Sequence, residues 1–250
     1  MGWQTNFYRK QFLWSKKHMD YDMETLVEHS IDKLRRLCDS NAHKILELGG
    51  GNGQFAVTAA QHGYDITVIE IIPECVEHIY HLKEKYHIGE NLRIIEGDFY
   101  EVSLMDSFDV VCYWDGFGIE SDAEQQLLLR NISNWLKPGG TALIDIYTPW
   151  YWAAHAGQEV QFGKIHREYG FDAEECRMLD NWWLADDKEN VITQSLRCYS
   201  PVDLKLLLND TELQFIHYES GGAMDYENWT YHESVSLEKA MMYTAKLQKE

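Results

Sequence analysis

The chain has 250 residues, which suits one α/β domain, and 45% of them are hydrophobic, enough to bury a full core. Its 22 basic and 41 acidic residues give a formal net charge of -19, and so acidic a surface repels phosphate backbones, so we expect no nucleic-acid partner. The sequence holds no apolar run long enough to cross a bilayer and no signal-peptide core, so we expect no membrane contact.

Strands and helices alternate along the first 147 residues. The spacing of Val27, Ile31, Leu34 and Cys38 predicts an amphipathic helix over residues 23–38. Such alternation predicts a parallel sheet with helices on both faces. The other elements predicted here are strands at 44–48, 65–71, 92–97, 108–114 and 141–147, helices at 54–63, from Pro73 and at 122–136, and a turn at "KPGG" (137–140).

The pattern changes at residue 148. Residues 148–199 are rich in aromatic side chains and contain short alternating runs, which indicate antiparallel strands. Ser200 as N-cap and Pro201 at the first helical position then predict a helix over residues 200–210, followed by strands at 212–219 and 240–248. The predicted fold class is therefore α/β: a doubly wound, mostly parallel seven-stranded sheet with a small antiparallel β insert after the fifth strand.

The five cysteines are widely spaced and form no Cys-x-x-Cys pair. We interpret them as buried thiols of a protein in the reducing cytoplasm. Neither they nor the histidines have the spacing of a zinc site, so no metal ligand is predicted.

Three glycines at alternate positions, Gly49, Gly51 and Gly53, follow the first strand. A nucleotide-triphosphate loop would need a Lys-Ser/Thr pair that is absent, and a dinucleotide fingerprint would need glycine where Gln54 stands. Glu47, just before the loop, disfavours a pyrophosphate and favours a cationic amine. A turn without a ligand gains nothing from three such glycines and an acid, so we predict a ligand site here.

The stretch "ILELGGGNGQFAV" (45–57) resembles the first motif of class I S-adenosylmethionine-dependent methyltransferases. The resemblance extends over roughly residues 23–147, and more loosely to the final strands. It implies a Rossmann-like fold, a single methyltransferase domain over residues 1–250, and S-adenosyl-L-methionine as cofactor. It also implies that Glu70 holds the ribose hydroxyls, that Asp98 binds the adenine amino group and that Phe99 meets the adenine ring. The other predicted cofactor contacts are Glu47, Gly49, Gly51, Asn52, Gly53, Ile71, Trp114, Asp115, Tyr8 and Trp14.

The same resemblance divides the domain into parts. Residues 23–147 and 200–250 form the cofactor-binding core, and residues 1–22 fold over the cofactor as a lid. The lid hypothesis has Tyr8, Phe12 or Trp14 cover the methionine half of the cofactor. A surface helix that uses its aromatic residues for packing is the alternative.

The insert, residues 148–199, is predicted to cap the acceptor. Phe117, Tyr147, Trp150, Tyr169 and Trp182 are expected to line the acceptor pocket. His155 is a candidate base, as is Asp115, with a hydrogen-bonded or surface role as the alternative for His155. Arg167 suggests an anionic or amphipathic acceptor, unless the arginines of the insert pair with its acids, such as Asp180. Trp182 and Trp183 face opposite sides of a strand, so a homodimer through this insert is a further prediction.

The predicted function is methyl transfer to a small-molecule acceptor. One alternative is a cofactor-binding protein, or a non-methylating enzyme, on the same scaffold, since no general base stands out. Another is a protein methyltransferase, since an acidic surface attracts basic tails. The sequence leaves the acceptor and the methylated atom undefined.

Overall fold

A computed structural model describes residues 2–19 and 22–250. Within these ranges no helix is long and apolar enough to span a membrane. Seven α-helices, α1 to α7, and a short 3-10 turn at Leu237–Lys239 are present in this part of the chain. The helices are α1 (Trp3–His18), α2 (His29–Leu37), α3 (Gln54–Gln61), α4 (Pro73–Lys85), α5 (Asp122–Trp135), α6 (Pro149–Ala154) and α7 (Pro201–Leu207).

Thirteen strands make up three sheets in the same ranges. Those of the first half are β1 (Lys44–Leu48), β2 (Asp65–Glu70), β3 (Leu92–Glu96), β4 (Phe108–Tyr113) and β5 (Leu136–Tyr147). Those of the second half are β6 (Glu159–Phe162), β7 (Ile165–Asp172), β8 (Arg177–Leu184), β9 (Asp187–Arg197), β10 (Leu213–Ser220), β11 (Ala223–Asp225), β12 (Thr230–His232) and β13 (Met242–Lys249).

The central sheet has seven strands in the order β10-β13-β5-β4-β1-β2-β3. All neighbouring pairs among β1 to β5 are parallel, and β13 runs antiparallel to both β5 and β10. β6 to β9 form a separate four-stranded antiparallel meander. The predicted fold class, a mostly parallel seven-stranded sheet with an antiparallel insert after the fifth strand, is confirmed.

Two apolar layers cover the faces of the central sheet. On one face, Ile31 of α2, Ala56 of α3 and Ile79 of α4 pack with strand residues such as Val68. On the other face, α5 and α7 pack against β4, β5 and β13. Every residue of α3 except its last is buried, as expected of a helix held under a ligand-binding loop.

Several element boundaries differ from the prediction. The helix predicted from residue 23 begins at His29, because the Asp22 carboxylate accepts the Glu24 N–H at 2.9 Å and holds the preceding segment in a turn. The turn predicted at residues 137–140 lies inside β5 as a bulge: Phe108 pairs with Leu136, whereas Val110 pairs with Thr141. α6 and the β11–β12 hairpin were not predicted.

The insert and α1 pack on each other. Phe7 of α1 is buried beside Trp182 of β8, with ring centroids 5.9 Å apart and an edge-on geometry. Gln194 of β9 donates a hydrogen bond from Nε2 to Tyr8 Oη at 3.0 Å. Trp183, the neighbour of Trp182, stacks on His166 at 5.7 Å, and neither it nor His166 lines the cavity described below.

Gly53 is required by both conformation and space. Its φ is +77°, in the left-handed region, and a Cβ there would stand 2.6 Å from Cγ1 of Ile79 in α4. The loop after β1 therefore comes close to α4 at this residue, and only glycine allows the approach.

We expect Gly53→Ala to lower the free energy of unfolding by about 2–4 kcal/mol, from left-handed backbone strain and overpacking against Ile79. Gly63→Ala is the matched control, because Gly63 has φ +86° and no heavy atom within 4 Å of the added Cβ. It should lose only the strain component, about 1–2 kcal/mol. Urea unfolding of both variants measures the difference, and equal losses would contradict the packing argument.

Candidate active site

A cavity of about 740 Å³ opens at the carboxyl ends of β1, β2 and β4. Its walls come from the loops after these strands and after β3, from α1, and from Trp182 of β8. Carboxyl ends of parallel strands are where open α/β sheets bind ligands. The lining residues include Gln4, Thr5, Tyr8, Gln11, Phe12, Met23, Glu47, Gly49, Gly50, Gly51, Asn52, Gln54, Glu70, Ile71, Ile72, Asp98, Phe99, Tyr100, Tyr113, Trp114, Asp115, Gly116, Ile119 and Glu120.

Glu70, at the end of β2, holds the glycine loop. Its Oε2 accepts the Gly51 N–H at 2.7 Å, and its Oε1 accepts the Ile72 N–H at 2.8 Å. Burial raises the pKa of Glu70, and these backbone donors act in the opposite direction. Each carboxylate oxygen has a second lone pair, so the side chain is fixed and can still accept hydrogen bonds from a ligand.

Glu47 is a buried carboxylate without compensation. It is 3% exposed, and its Oε2 has no hydrogen-bond partner among the described residues. Burial raises the pKa of Glu47 well above its usual value, and the nearby charge of Glu70 adds to the shift. A positively charged group on a ligand would compensate the charge of this carboxylate.

Asp98 and Phe99 follow β3 at the same cavity. Asp98 Oδ1 accepts the Tyr100 N–H at 2.8 Å, which fixes the carboxylate in the turn. The Phe99 ring lies edge-on to Tyr113 with centroids 5.2 Å apart. An acid and an apolar ring are thus presented side by side at the wall.

Asp115 also lines the cavity, two residues after β4. Its φ is +53°, a left-handed conformation that costs energy for a residue with a side chain. Tyr147 Oη of β5 donates a hydrogen bond to its Oδ1. The Asp115 side chain is accessible from the cavity, but protein surrounds it on all other sides. Desolvation by this surrounding protein is the main reason that the pKa of Asp115 is raised.

Most of the predicted cofactor residues line this one cavity, including Glu47, Glu70, Asp98, Asp115 and Tyr8. Two do not. Gly53 lies beneath the loop, against α4. Trp14 packs in the apolar cluster of Phe7 and Trp182, under the Lys10 ammonium at 5.8 Å.

The predicted acceptor residues are mostly elsewhere. Trp182 lines the cavity, but Phe117, Tyr147, Trp150, His155, Arg167 and Tyr169 do not. Phe117 is fully buried in the core, and Trp150 donates its Nε1 hydrogen to the Leu237 carbonyl at 2.7 Å. Tyr169 is buried edge-on against Trp152, 5.1 Å between centroids.

His155 and Arg167 both contact residues outside the cavity lining. His155 stacks on Tyr151 at 4.0 Å, and its Nδ1 lies 2.7 Å from the Tyr151 carbonyl oxygen, so its position does not support a role as base. Arg167 forms an ion pair with Asp180 of the adjacent strand, and its guanidinium lies 4.6 Å from the centroid of the Trp182 ring.

The charge of the cavity wall is uniform. Five carboxylates line it, and within residues 2–19 and 22–250 no lysine, arginine or histidine does. An anionic acceptor, the expectation drawn from the arginines of the insert, has no cation to bind here. The five wall carboxylates are Glu47, Glu70, Asp98, Asp115 and Glu120.

Sequence reasoning missed several wall residues. Gly50 follows Gly49 directly, and Tyr100 follows Phe99, so extending each motif by one residue would have included both. Glu120 and Gln4 carry no such signal: the Gln4 amide donates to the Glu120 carboxylate across 116 positions of sequence. This contact joins the start of α1 to the loop after β4.

Comparison with known proteins finds similar sequences and similar folds. A family model described as "Methyltransferase domain" matches residues 17–218. The curated cypemycin N-terminal methyltransferase of a Streptomyces species is 29% identical over 107 residues, which is 42% of each protein, so the matched part spans less than half of that relative.

Two solved structures share the fold. The CcbJ methyltransferase from Streptomyces caelestis has a TM-score of 0.78 at 16% identity, covering 98% of each chain. CalS10, an amino pentose methyltransferase from Micromonospora echinaspora solved with S-adenosylmethionine bound, has a TM-score of 0.59 at 15% identity, covering 100% of this chain and 98% of that one.

Glu47 makes a prediction for stability against pH. Because its native pKa is raised, its contribution to stability is full below the unfolded-state pKa and is lost as pH rises through the native one. Glu47→Gln cannot ionise, so we expect it to raise the free energy of unfolding at pH 8 by about 1–3 kcal/mol. The gain should shrink toward pH 4, as measured by urea unfolding at both pH values.

Glu70→Gln is the contrasting variant. The two carboxylate oxygens of Glu70 each accept one backbone N–H, whereas the glutamine amide has a single oxygen. We therefore expect no gain in the free energy of unfolding at pH 8 for this variant. If Glu47→Gln were no more stable than the parent protein at pH 8, Glu47 would not be an uncompensated charge.

Proposed function

The chain belongs to this methyltransferase family, and on that basis we propose that it transfers a methyl group from S-adenosyl-L-methionine to a small-molecule acceptor. The observation that carries the proposal is the cavity at the strand ends, where the glycine loop, Glu47, Glu70 and Asp98 meet. An acceptor from specialised metabolism is the proposed class, by analogy with CalS10, an amino pentose methyltransferase of this fold involved in calicheamicin biosynthesis.

The described side chains fit the proposed cofactor. Glu47, whose Oε2 is buried without a partner among the described residues, supplies the charge that an amino-acid ammonium group needs. Glu70 is held by two backbone donors with lone pairs left for the ribose hydroxyls. Asp98 is available to the adenine amino group, with the Phe99 ring beside it. Gly49, Gly51, Asn52 and Ile71 complete the wall.

When bound, the cofactor supplies an electrophilic methyl group on a sulfonium. Tyr113, Trp114 and Asp115 line the part of the cavity that follows β4, where we place the sulfonium. Aromatic faces and a carboxylate both tolerate positive charge there. The protein's main contribution is orientation, since holding the two reactants in line is worth about 7–11 kcal/mol.

We propose that α1 is the lid over this site. The predicted lid, residues 1–22, contains α1, while Met1, Asp20 and Tyr21 lie outside the described residues. Tyr8 and Phe12 line the cavity, and Phe7 secures the helix to Trp182. Residues 23–147 and 200–250 then serve as the cofactor-binding core, and residues 148–199 as the cap, within one domain of residues 1–250.

Other functions find less support in the described structure. A protein methyltransferase needs an open groove for a polypeptide, whereas α1 and Trp182 wall this cavity. A cofactor-binding protein without turnover, or a non-methylating enzyme, would bind S-adenosylmethionine without releasing the demethylated cofactor. Mass spectrometry of that product distinguishes these two from methyl transfer.

A cytoplasmic location and a homodimer through the insert are part of the proposal. The five cysteines are unpaired, as a reducing compartment would leave them, and fluorescence of the tagged protein in its host tests the location.

Trp183 and His166 lie on the surface of the meander that faces away from α1. Light scattering gives the mass, and a monomer at every concentration would exclude the dimer. The net charge of -19 supports the absence of a nucleic-acid partner.

We expect calorimetry to show one S-adenosylmethionine bound per chain. Glu70→Ala should weaken binding by about 10- to 100-fold, because it removes charged hydrogen bonds and the support of the glycine loop. Asp98→Asn, which keeps the shape of the side chain, should weaken it by about tenfold.

Glu189→Gln is the control, because it removes one negative charge from an exposed position outside the cavity. It should bind as the parent protein does. If the parent protein takes up no S-adenosylmethionine, the proposed function is wrong.

The lid proposal predicts that Phe7→Ala raises the dissociation rate of S-adenosylmethionine by about tenfold, because the helix loses its buried anchor at Trp182. Leu13→Ala is the control, since Leu13 is on the same helix and 40% exposed. Stopped-flow displacement measures both rates. Equal rates in the two variants would mean that α1 packs on the surface without closing the site.

A further inference from the structure

Two wall carboxylates are not assigned to the ammonium, ribose or adenine of the proposed cofactor. Glu47, Glu70 and Asp98 take those three groups, which leaves Glu120, and Asp115 beside the proposed sulfonium. On the basis of the proposed function, we propose that the methyl acceptor is an amine that enters as a cation and that Asp115 receives its proton.

Asp115 is placed to meet such a ligand. Its Oδ1 accepts a hydrogen bond from the Tyr147 hydroxyl, and the residue faces the cavity. Its backbone has the left-handed conformation, which costs energy for a residue with a side chain. Strained backbone of this kind persists where the surrounding structure fixes it, here through Tyr147 and the adjacent Gly116, whose missing Cβ leaves room for Tyr113.

The charges around Asp115 leave it uncompensated. Arg167 of β7 is paired with Asp180 of β8, and Lys33 of α2 lies 3.5 Å from Asp145 of β5. Of these three acids, Asp115 is the one that has no basic partner within the described ranges. The other titratable groups near it are the hydroxyls of Tyr8 on α1, Tyr113 on β4 and Tyr147 on β5.

Aromatic rings complete the acceptor end. Tyr8 and Trp182 line it, and Trp182 Nε1 is buried without a hydrogen-bond partner among the described residues. Ring faces attract ammonium groups, and they do not attract carboxylates. Glu120, tied to Gln4, is a further carboxylate of the cavity wall, and its charge interacts with that of Asp98.

The chemical step balances without a further reactant. An N–H proton of the ammonium passes to the Asp115 carboxylate, and the freed nitrogen lone pair attacks the methyl carbon. The N–C bond forms as the C–S bond breaks, its electron pair staying on sulfur, so the positive charge moves from sulfur to nitrogen. Two effects favour the proton transfer: a nearby sulfonium lowers the pKa of the ammonium, and burial raises the pKa of Asp115.

The first test measures binding to the protein loaded with demethylated cofactor. The probes are primary and secondary amines of graded size, each paired with the alcohol and the carboxylate of the same skeleton. We expect at least one amine to bind about tenfold or more tightly than its alcohol, and the carboxylates not to bind. If no amine in the series exceeds its alcohol, the inference is wrong.

The second test uses Asp115→Asn, chosen because asparagine tolerates the left-handed backbone. We expect the preferred amine to bind about 30-fold or more weakly, and kcat/KM for its methylation to fall about 100-fold. The acid limb of the kcat/KM profile should move to higher pH, because the amine must then lose its proton to water. Glu189→Gln should change none of these.

Tyr147→Phe is a second variant that keeps the carboxylate and removes its hydrogen bond. It should retain the preference for the amine and lower kcat/KM less than Asp115→Asn does. An amine preference and a pH profile that both survive Asp115→Asn would overturn the role of Asp115. Cofactor binding with methylation of an alcohol or thiol alone would refute the amine and leave the proposed function standing, whereas absent cofactor binding would refute both.

Discussion

Negative charge withdrawn from water is the constraint on which the whole site depends. Glu47 and Glu70 are buried side by side, and the fold stabilises only one of them, through the N–H groups of Gly51 and Ile72. Under the proposed function, a positively charged ligand offsets the desolvation of the other carboxylate. Ligand binding would then raise the free energy of unfolding, so occupancy and stability are linked.

The insert takes part in both halves of this arrangement. Through Trp182 and Gln194 it holds α1 against the cavity. Through Arg177, whose Nη2 donates to the carbonyls of Gly118 and Ile119 at 2.9 Å each, it supports the loop that follows Asp115. We therefore expect a substitution in the insert to disturb α1 and the loop after Asp115 before it disturbs the glycine loop, which belongs to the parallel core.

The sequence predicted the parallel core well and the insert poorly, for a physical reason. Strand–helix alternation is a local pattern, and the ends of successive parallel strands must meet at one edge, so Glu70 and Asp98 were brought to one cavity by topology alone. The pairing of Arg167 with Asp180, and the distance of His155 from the cavity, depend on the register of an antiparallel meander. Several registers satisfy the same aromatic-rich sequence, so composition did not distinguish a pocket wall from a packed side chain.

The reversed direction of β13 has a practical consequence for work with this protein. Gln248 pairs with Thr141 at the start of β5, whereas Met242 pairs with Tyr147 at its end, so Lys249 lies at the sheet edge opposite the cavity. A purification handle or surface linker joined after Glu250 is held away from the cavity. The same group placed before α1 would sit beside Gln4 and Thr5, which line the cavity.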